Sequence, residues 1–319
     1  MQIVIPDDYP PTYARLDQPD LRRLEPFGTV ELHTTRAADR AELFGRIATA
    51  EALINVRSYT TLDDEAFVSA PRLELVSILG TGTDNVDLLA AKRRGITVTN
   101  TPGVGAASVA ELTMGLILAV TRGIPVSDDR VRQGTWQHVE GPELEGKTLG
   151  LLGLGAIGER VARLGRGFGM RVIAWSFSRD PARAERLGVE LVERDEIFAR
   201  ADVVSVHLRN TPEMRGLVGV RELALMQPSA FLINTARGAL VDQDALADAL
   251  REGRVAGAGL DVYVEEPLLP ERNPFRDLGN VVLTPHAGAV TYEANARSRA
   301  MPVDNVIAYI QGRPEHVVT

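Results

Sequence analysis

Short apolar runs alternating with stretches long enough for a helix constrain this chain more than any other feature. The runs in its first third are Gln2–Ile5, Thr29–Leu32, Ala52–Ile54 and Leu75–Ile78. A second set comprises Thr148–Leu152, Arg171–Trp175, Val203–Val206, Ala230–Ile233, Ala256–Leu260 and Val281–Thr284. Strands buried on both faces read as unbroken apolar runs, and parallel strands need a covering segment between them, so the pattern predicts α/β architecture with two parallel sheets. A turn at Asn100-Thr101-Pro102-Gly103 precedes a helical pattern from Val104 to Arg122 and suits a crossing between structural units. The tail from about Ala287 is too short to fold alone and reads as a helix returning to the first unit. The expected boundaries are therefore 1–99 with 287–319 for one domain and 100–286 for a second domain inserted into it.

The strand Thr148–Leu152 runs into Gly153-Leu154-Gly155-Ala156-Ile157-Gly158, followed by the apolar-periodic Val161, Ala162, Leu164 and Phe168. Strand, glycine loop and helix in this order form a dinucleotide cradle. Gly153 permits a tight turn, Gly155 lets pyrophosphate approach the backbone, and Gly158 lets the helix pack on the strand; the helix N-terminus, with Ala156 and Ile157, offers N–H donors. An Asp or Glu is expected about 20 residues further on, against the adenosine ribose. Ser176 stands there instead, and Arg179 follows as either a partner for a 2′-phosphate or an ordinary solvated charge. Both NAD and NADP are therefore admitted.

Polar groups cluster at the ends of the later strands, where open α/β sheets place ligands. They are Asn234-Thr235-Ala236-Arg237-Gly238, Asp261-Val262-Tyr263 with Glu265-Glu266-Pro267, and Thr284-Pro285-His286. Arg can grip a carboxylate through two parallel bonds, and a histidine with a nearby carboxylate makes an acid–base pair. His207 follows the Val203–Val206 run, before Asn210-Thr211, with core packing as the other reading. His33, His138 and His316 have no partners visible in sequence, and no His, Asp and Glu spacing suggests a catalytic metal.

With Gly82-Thr83-Asp84-Asn85-Val86-Asp87, Asn100-Thr101-Pro102 and Val109-Ala110-Glu111, these motifs resemble the D-isomer-specific 2-hydroxyacid dehydrogenase family over nearly the whole chain. The resemblance implies a Rossmann NAD(P)-binding domain inserted into a flavodoxin-like substrate domain, an active cleft between them, and a homodimer. Arg237 would orient the substrate carboxylate and polarise the keto oxygen, Glu266 would support His286, and His286 would exchange the proton. Asp261 would lie near the nicotinamide carboxamide; Thr235, Ala236, His207, Asn210 and Thr211 would line the cofactor groove. The backbone N–H groups of the Leu79-Gly80-Thr81-Gly82 loop would cradle the carboxylate. Phosphoglycerate-acting relatives carry Arg where Ile78 stands and have an additional regulatory domain beyond the point where this chain ends. Formate-specific relatives have Gln in place of Glu266. The expectation is thus a small non-phosphorylated 2-keto or 2-hydroxy acid. An NAD(H)-sensing protein like the family's transcriptional corepressors is the alternative.

Composition narrows the partners. A formal net charge of −8 works against broad binding to nucleic acid or anionic membrane. The absence of Cys excludes disulfides and thiolate chemistry and suits a reducing compartment. No secretory signal is visible after Met1, and the apolar stretch Leu112–Val120 is far shorter than the ~20 residues of a spanning helix, so a cytoplasmic place is expected. The apolar surplus of the Val104–Arg122 helix, with the arm to Gly146, is read as the dimer contact, segment 103–146.

Overall fold

A computed structural model describes residues 1–56 and 60–319. The chain forms two compact units, residues 1–105 with 290–319, and residues 106–289.

The first unit is built on a parallel sheet of β1 (Gln2–Ile5), β2 (Thr29–Leu32), β3 (Ala52–Asn55), β4 (Leu75–Ile78) and β5 (Thr97–Thr99), in the order β2-β1-β3-β4-β5. This is the flavodoxin-like order. Alternation along each strand divides the core in two. Val4, Leu53 and Val76 pack with Ile47, Phe67 and Ala90 on one face; Ile3, Ile5, Ile54 and Leu75 pack with Tyr13, Leu21, Val303 and Val306 on the other. The helices Arg40–Ile47, Asp64–Ser69 and Leu88–Arg93 each start after an aspartate, Asp39, Asp63 or Asp87, whose carboxylate accepts a bond from the first turn. The C-terminal helix Tyr292–Ile310 brings Val303 and Val306 to the second face and is tied to β4 by the Ser77 hydroxyl, which donates to the Pro302 carbonyl at 3.0 Å. The final residues run beside β5, where Val318 N–H donates to Val98 O at 2.8 Å.

The second unit is a seven-stranded parallel sheet of β6 (Thr148–Leu152), β7 (Arg171–Trp175), β8 (Glu190–Leu191), β9 (Val203–Val206), β10 (Phe231–Asn234), β11 (Gly257–Leu260) and β12 (Val281–Leu283). The order is β12-β11-β10-β9-β6-β7-β8. The order reverses between β6 and β9, which is the switch point where a Rossmann sheet opens its ligand crevice. Val204, Val206, Leu232 and Leu260 bury one face; Leu149, Leu151, Val203 and Ile233 bury the other. β5 and β8 have no counterpart among the expected strands.

The Asn100-Thr101 turn belongs to the first unit, because Asn100 N–H donates to His316 O at 3.2 Å and Thr101 N–H to Gly80 O at 3.0 Å. The chain crosses after Gly105. The helix Ala106–Thr121 then packs on β10, β11 and the helix Ala156–Gly167, burying Ala110, Met114, Leu116 and Ile117. The helix's apolar content is thus largely used inside its own unit. Among the described residues no single helix is long and apolar enough to cross a membrane.

Candidate active site

The glycine loop leaves β6 at the switch point. Gly153 has φ +106°, and a Cβ there would fall 2.5 Å from the His207 carbonyl oxygen, so both backbone and space require glycine. A Cβ on Gly158 would lie 2.2 Å from Gly153 O, which is how closely the helix Ala156–Gly167 approaches the turn. Gly155 differs: its missing side chain faces open space. It is the N-cap of that helix with no side-chain cap bond, so the first-turn N–H groups are left for a ligand. This geometry fits a pyrophosphate.

Beyond β7, the Ser176 hydroxyl lies 3.3 Å from that of Ser178. Arg179 is in the left-handed region at φ +33° and donates to the Glu193 carboxylate. After β9, the His207 ring contacts the Ser205 hydroxyl through Nε2 at 2.9 Å, while Nδ1 is enclosed without a partner. Burial pushes the His207 imidazole down to about 4, so it is neutral at neutral pH. Thr211 opens the short turn Pro212–Met214 by accepting a bond from Met214 N–H at 2.9 Å.

β10 ends in a rigid polar loop. Asn234 Oδ1 accepts from Ala236 N–H at 3.0 Å, and its Nδ2 donates to Arg237 O at 2.9 Å. The Thr235 hydroxyl meets that of Thr113 at 2.9 Å. A Cβ on Gly238 would sit 2.0 Å from the Tyr263 carbonyl carbon, so only glycine lets the Arg237 loop pass against the loop that carries Glu266. Glu266 is fixed at both oxygens. Oε1 accepts from Tyr263 N–H at 3.0 Å, and Oε2 contacts His286 Nδ1 at 2.7 Å. Burial raises the Glu266 pKa, but the His286 bond, the Tyr263 bond and the Arg237 cation outweigh it and hold the carboxyl below its usual range. Arg237, Glu266 and His286 are thus brought together.

His286 has φ +53°, a conformation that non-glycine residues adopt at a cost of about 1 kcal/mol. Asp261, fully buried at the end of β11, holds it there. His286 N–H donates to Asp261 O at 2.8 Å. The Asp261 carboxylate accepts from Thr284 Oγ1 at 2.6 Å, Ala287 N–H at 2.8 Å and Gly288 N–H at 2.9 Å. Asp261 therefore acts within the protein as the anchor of the histidine loop.

In the first unit the Leu79–Gly82 loop is partly engaged by its neighbours. Leu79 N–H donates to Asn55 O at 2.8 Å, and Gly80 N–H to Thr101 Oγ1 at 2.7 Å. Within this loop the N–H groups of Thr81 and Gly82 have no hydrogen-bond partner among the described residues. Behind them is a buried network. Asn100 Nδ2 donates to Thr81 O at 2.8 Å, Asn305 Nδ2 to Asn100 O at 2.9 Å, and Asn305 Oδ1 meets His316 Nδ1 at 3.0 Å. Ile78 is 4% exposed and packed in the core with Val76 and Val86, so its lack of charge carries no information about a ligand surface.

Residues 114–288 match the family model described as D-isomer specific 2-hydroxyacid dehydrogenase, NAD binding domain. The chain belongs to that family. This family member is similar to the glyoxylate reductase of Thermococcus litoralis, 40% identical over 302 residues that cover 92% of this chain and 90% of the relative. It is 43% identical to the D-3-phosphoglycerate dehydrogenase of Mycobacterium tuberculosis over 89% of this chain but 53% of that protein, so it spans about half the length of those relatives. Among solved structures, an acyclic imino acid reductase (Bsp5) in complex with NADPH and D-Arg matches with a TM-score of 0.90 at 29% identity, covering 100% of each chain.

Several residues that shape the family member's site carried little signal in sequence. Tyr263 and Thr284 lay inside recognised motifs but without a role. Thr113 is a polar residue in an apolar run, a weak sign of a buried partner. Asn305 and His316 gave none, because their partners lie about 200 residues upstream or across a helix terminus.

Proposed function

We propose that this chain is an NAD(P)-dependent oxidoreductase acting at the 2-position of a small, non-phosphorylated 2-keto or D-2-hydroxy acid. The observation that carries the reading is the His286 Nδ1 contact to Glu266 at 2.7 Å, beside Arg237 and in the same unit as the glycine loop. The Gly153–Gly158 loop would hold the dinucleotide, which would supply a hydride in reduction and accept one in oxidation. The residues handle charge and the proton. With Glu266 on Nδ1, His286 keeps Nε2 for proton exchange with the substrate oxygen. Arg237 stabilises negative charge as it grows on that oxygen and orients the carboxylate.

Glyoxylate and hydroxypyruvate are the substrates of choice, given the similarity to a glyoxylate reductase over nearly the full length of both chains. The neutral Ser176 admits NADP as well as NAD. Two copies associate through the arm after the Ala106–Thr121 helix, where Ile124, Val131 and Trp136 are exposed; a sedimentation experiment giving a single 34.6 kDa species would remove that part. The function is tested by following reduced-nicotinamide absorbance with glyoxylate, hydroxypyruvate, pyruvate and longer 2-keto acids. His286→Ala is expected to lose turnover and keep dinucleotide affinity; turnover at the parental rate would overturn the assignment.

A further inference from the structure

The end of β7 carries an arrangement that the hydride chemistry does not use. Trp175 closes the strand, and Phe177 stacks edge-on against it at 4.8 Å between ring centroids. Ser176 between them is neutral, so nothing on this residue repels a phosphate. Two residues beyond Phe177, the left-handed Arg179 places its guanidinium on Glu193, which follows β8. The pair lines a recess of about 270 Å³ with Pro181, Leu191, Val192 and Glu196.

The neighbouring cation is differently employed. Arg183 donates to Leu154 O in the glycine loop at 3.1 Å and lies 3.2 Å from Glu159 and 3.6 Å from Asp180. Among the described residues Arg179 is restrained by one carboxylate only, and both partners are more than half exposed, at 55% and 69%. An exposed pair of this kind is weak and easily exchanged for a better anion. The phosphate on the adenosine ribose of NADP is such an anion, with a greater charge and a geometry suited to a guanidinium. NAD offers only a hydroxyl.

We infer that Glu193 is a specificity-determining residue that lowers affinity for the 2′-phosphorylated dinucleotide by holding Arg179, with little effect on the unphosphorylated one. The inference rests on the dinucleotide reading of the glycine loop and extends it to a residue that the loop itself does not indicate. Glu193 competes with the phosphate for one guanidinium; Arg179 cannot serve both fully.

The test is a set of dissociation constants for NADH and NADPH, measured by titration calorimetry on the full chain, on Glu193→Gln, on Arg179→Gln and on the double variant. Both side chains are exposed, so the variants fold. Glu193→Gln is expected to raise the ratio Kd(NADH)/Kd(NADPH) about fivefold, the effect of releasing one exposed pair. Arg179→Gln is expected to lower the ratio about tenfold. On the Arg179→Gln background the Glu193 substitution should change the ratio by less than about twofold, because its route is gone. An unchanged ratio in Glu193→Gln, or an equal rise without Arg179, overturns the inference while leaving the dinucleotide reading intact. If the unaltered chain binds neither dinucleotide, that reading falls and the inference with it.

Discussion

Acidification from pH 7.5 to pH 4 tests how His207 is held. The ring is enclosed beside the glycine loop, with Nε2 on Ser205, and burial lowers its pKa from an ordinary 6.5 to about 4. In the unfolded chain the same imidazole takes up its proton near 6.5. Between the two values the unfolded state holds more protons than the folded state, so stability falls as pH falls. The contribution is fully present above about pH 6.5, and each pH unit within the window removes up to about 1.4 kcal/mol. Over the whole interval the loss is about 3 kcal/mol, and it levels off once the folded state also protonates. Urea unfolding of the wild type and of His207→Gln at half-unit steps of pH separates this effect from that of the carboxylates, which both proteins share. The wild type should lose about 3 kcal/mol more than the variant across the window. Parallel stability curves for the two proteins between pH 6.5 and pH 4 would refute the reasoning.

Other substitutions probe the remaining geometry. Gly158→Ala places a methyl group 2.2 Å from Gly153 O and should cost about 2 kcal/mol in calorimetric stability, with weaker NADH binding in titration. Asp261→Ala leaves the Ala287 and Gly288 N–H groups without their acceptor; a loss of about 3 kcal/mol in urea unfolding and a collapse of turnover are expected. Asn305→Ala removes the support behind Asn100 and Thr81, and urea unfolding should show a loss of about 2 kcal/mol.

Much of this was legible in the sequence for a simple reason: strands such as β1, β3, β4 and β6 are buried on both faces, and such strands are written as continuous apolar runs. β8 was invisible because two residues at a sheet edge carry no pattern, and β5, Thr97–Thr99, because its threonines read as part of the following turn. The glycine loop and the residues Arg237, Glu266 and His286 were legible because each stands at the end of a recognisable strand or in a motif beside one. Which N–H groups of the Leu79–Gly82 loop stay unengaged was not legible. That depends on which N–H groups Asn55 and Thr101 have already taken, and those partners are 20 or more residues away. The pairing of Arg179 with Glu193 was equally hidden, since it arises only when β8 returns beside β7.

Asp261 joins two matters that are usually separate in a protein. The short stretch it grips, Thr284 to Gly288, contains the imidazole and also forms the last part of the second unit, one residue before the chain departs at Ala289. One deeply seated carboxylate therefore fixes both where the imidazole stands and where the backbone makes its exit. Imidazole placement and chain routing share a single fastening, so a substitution at Asp261 disturbs both at once.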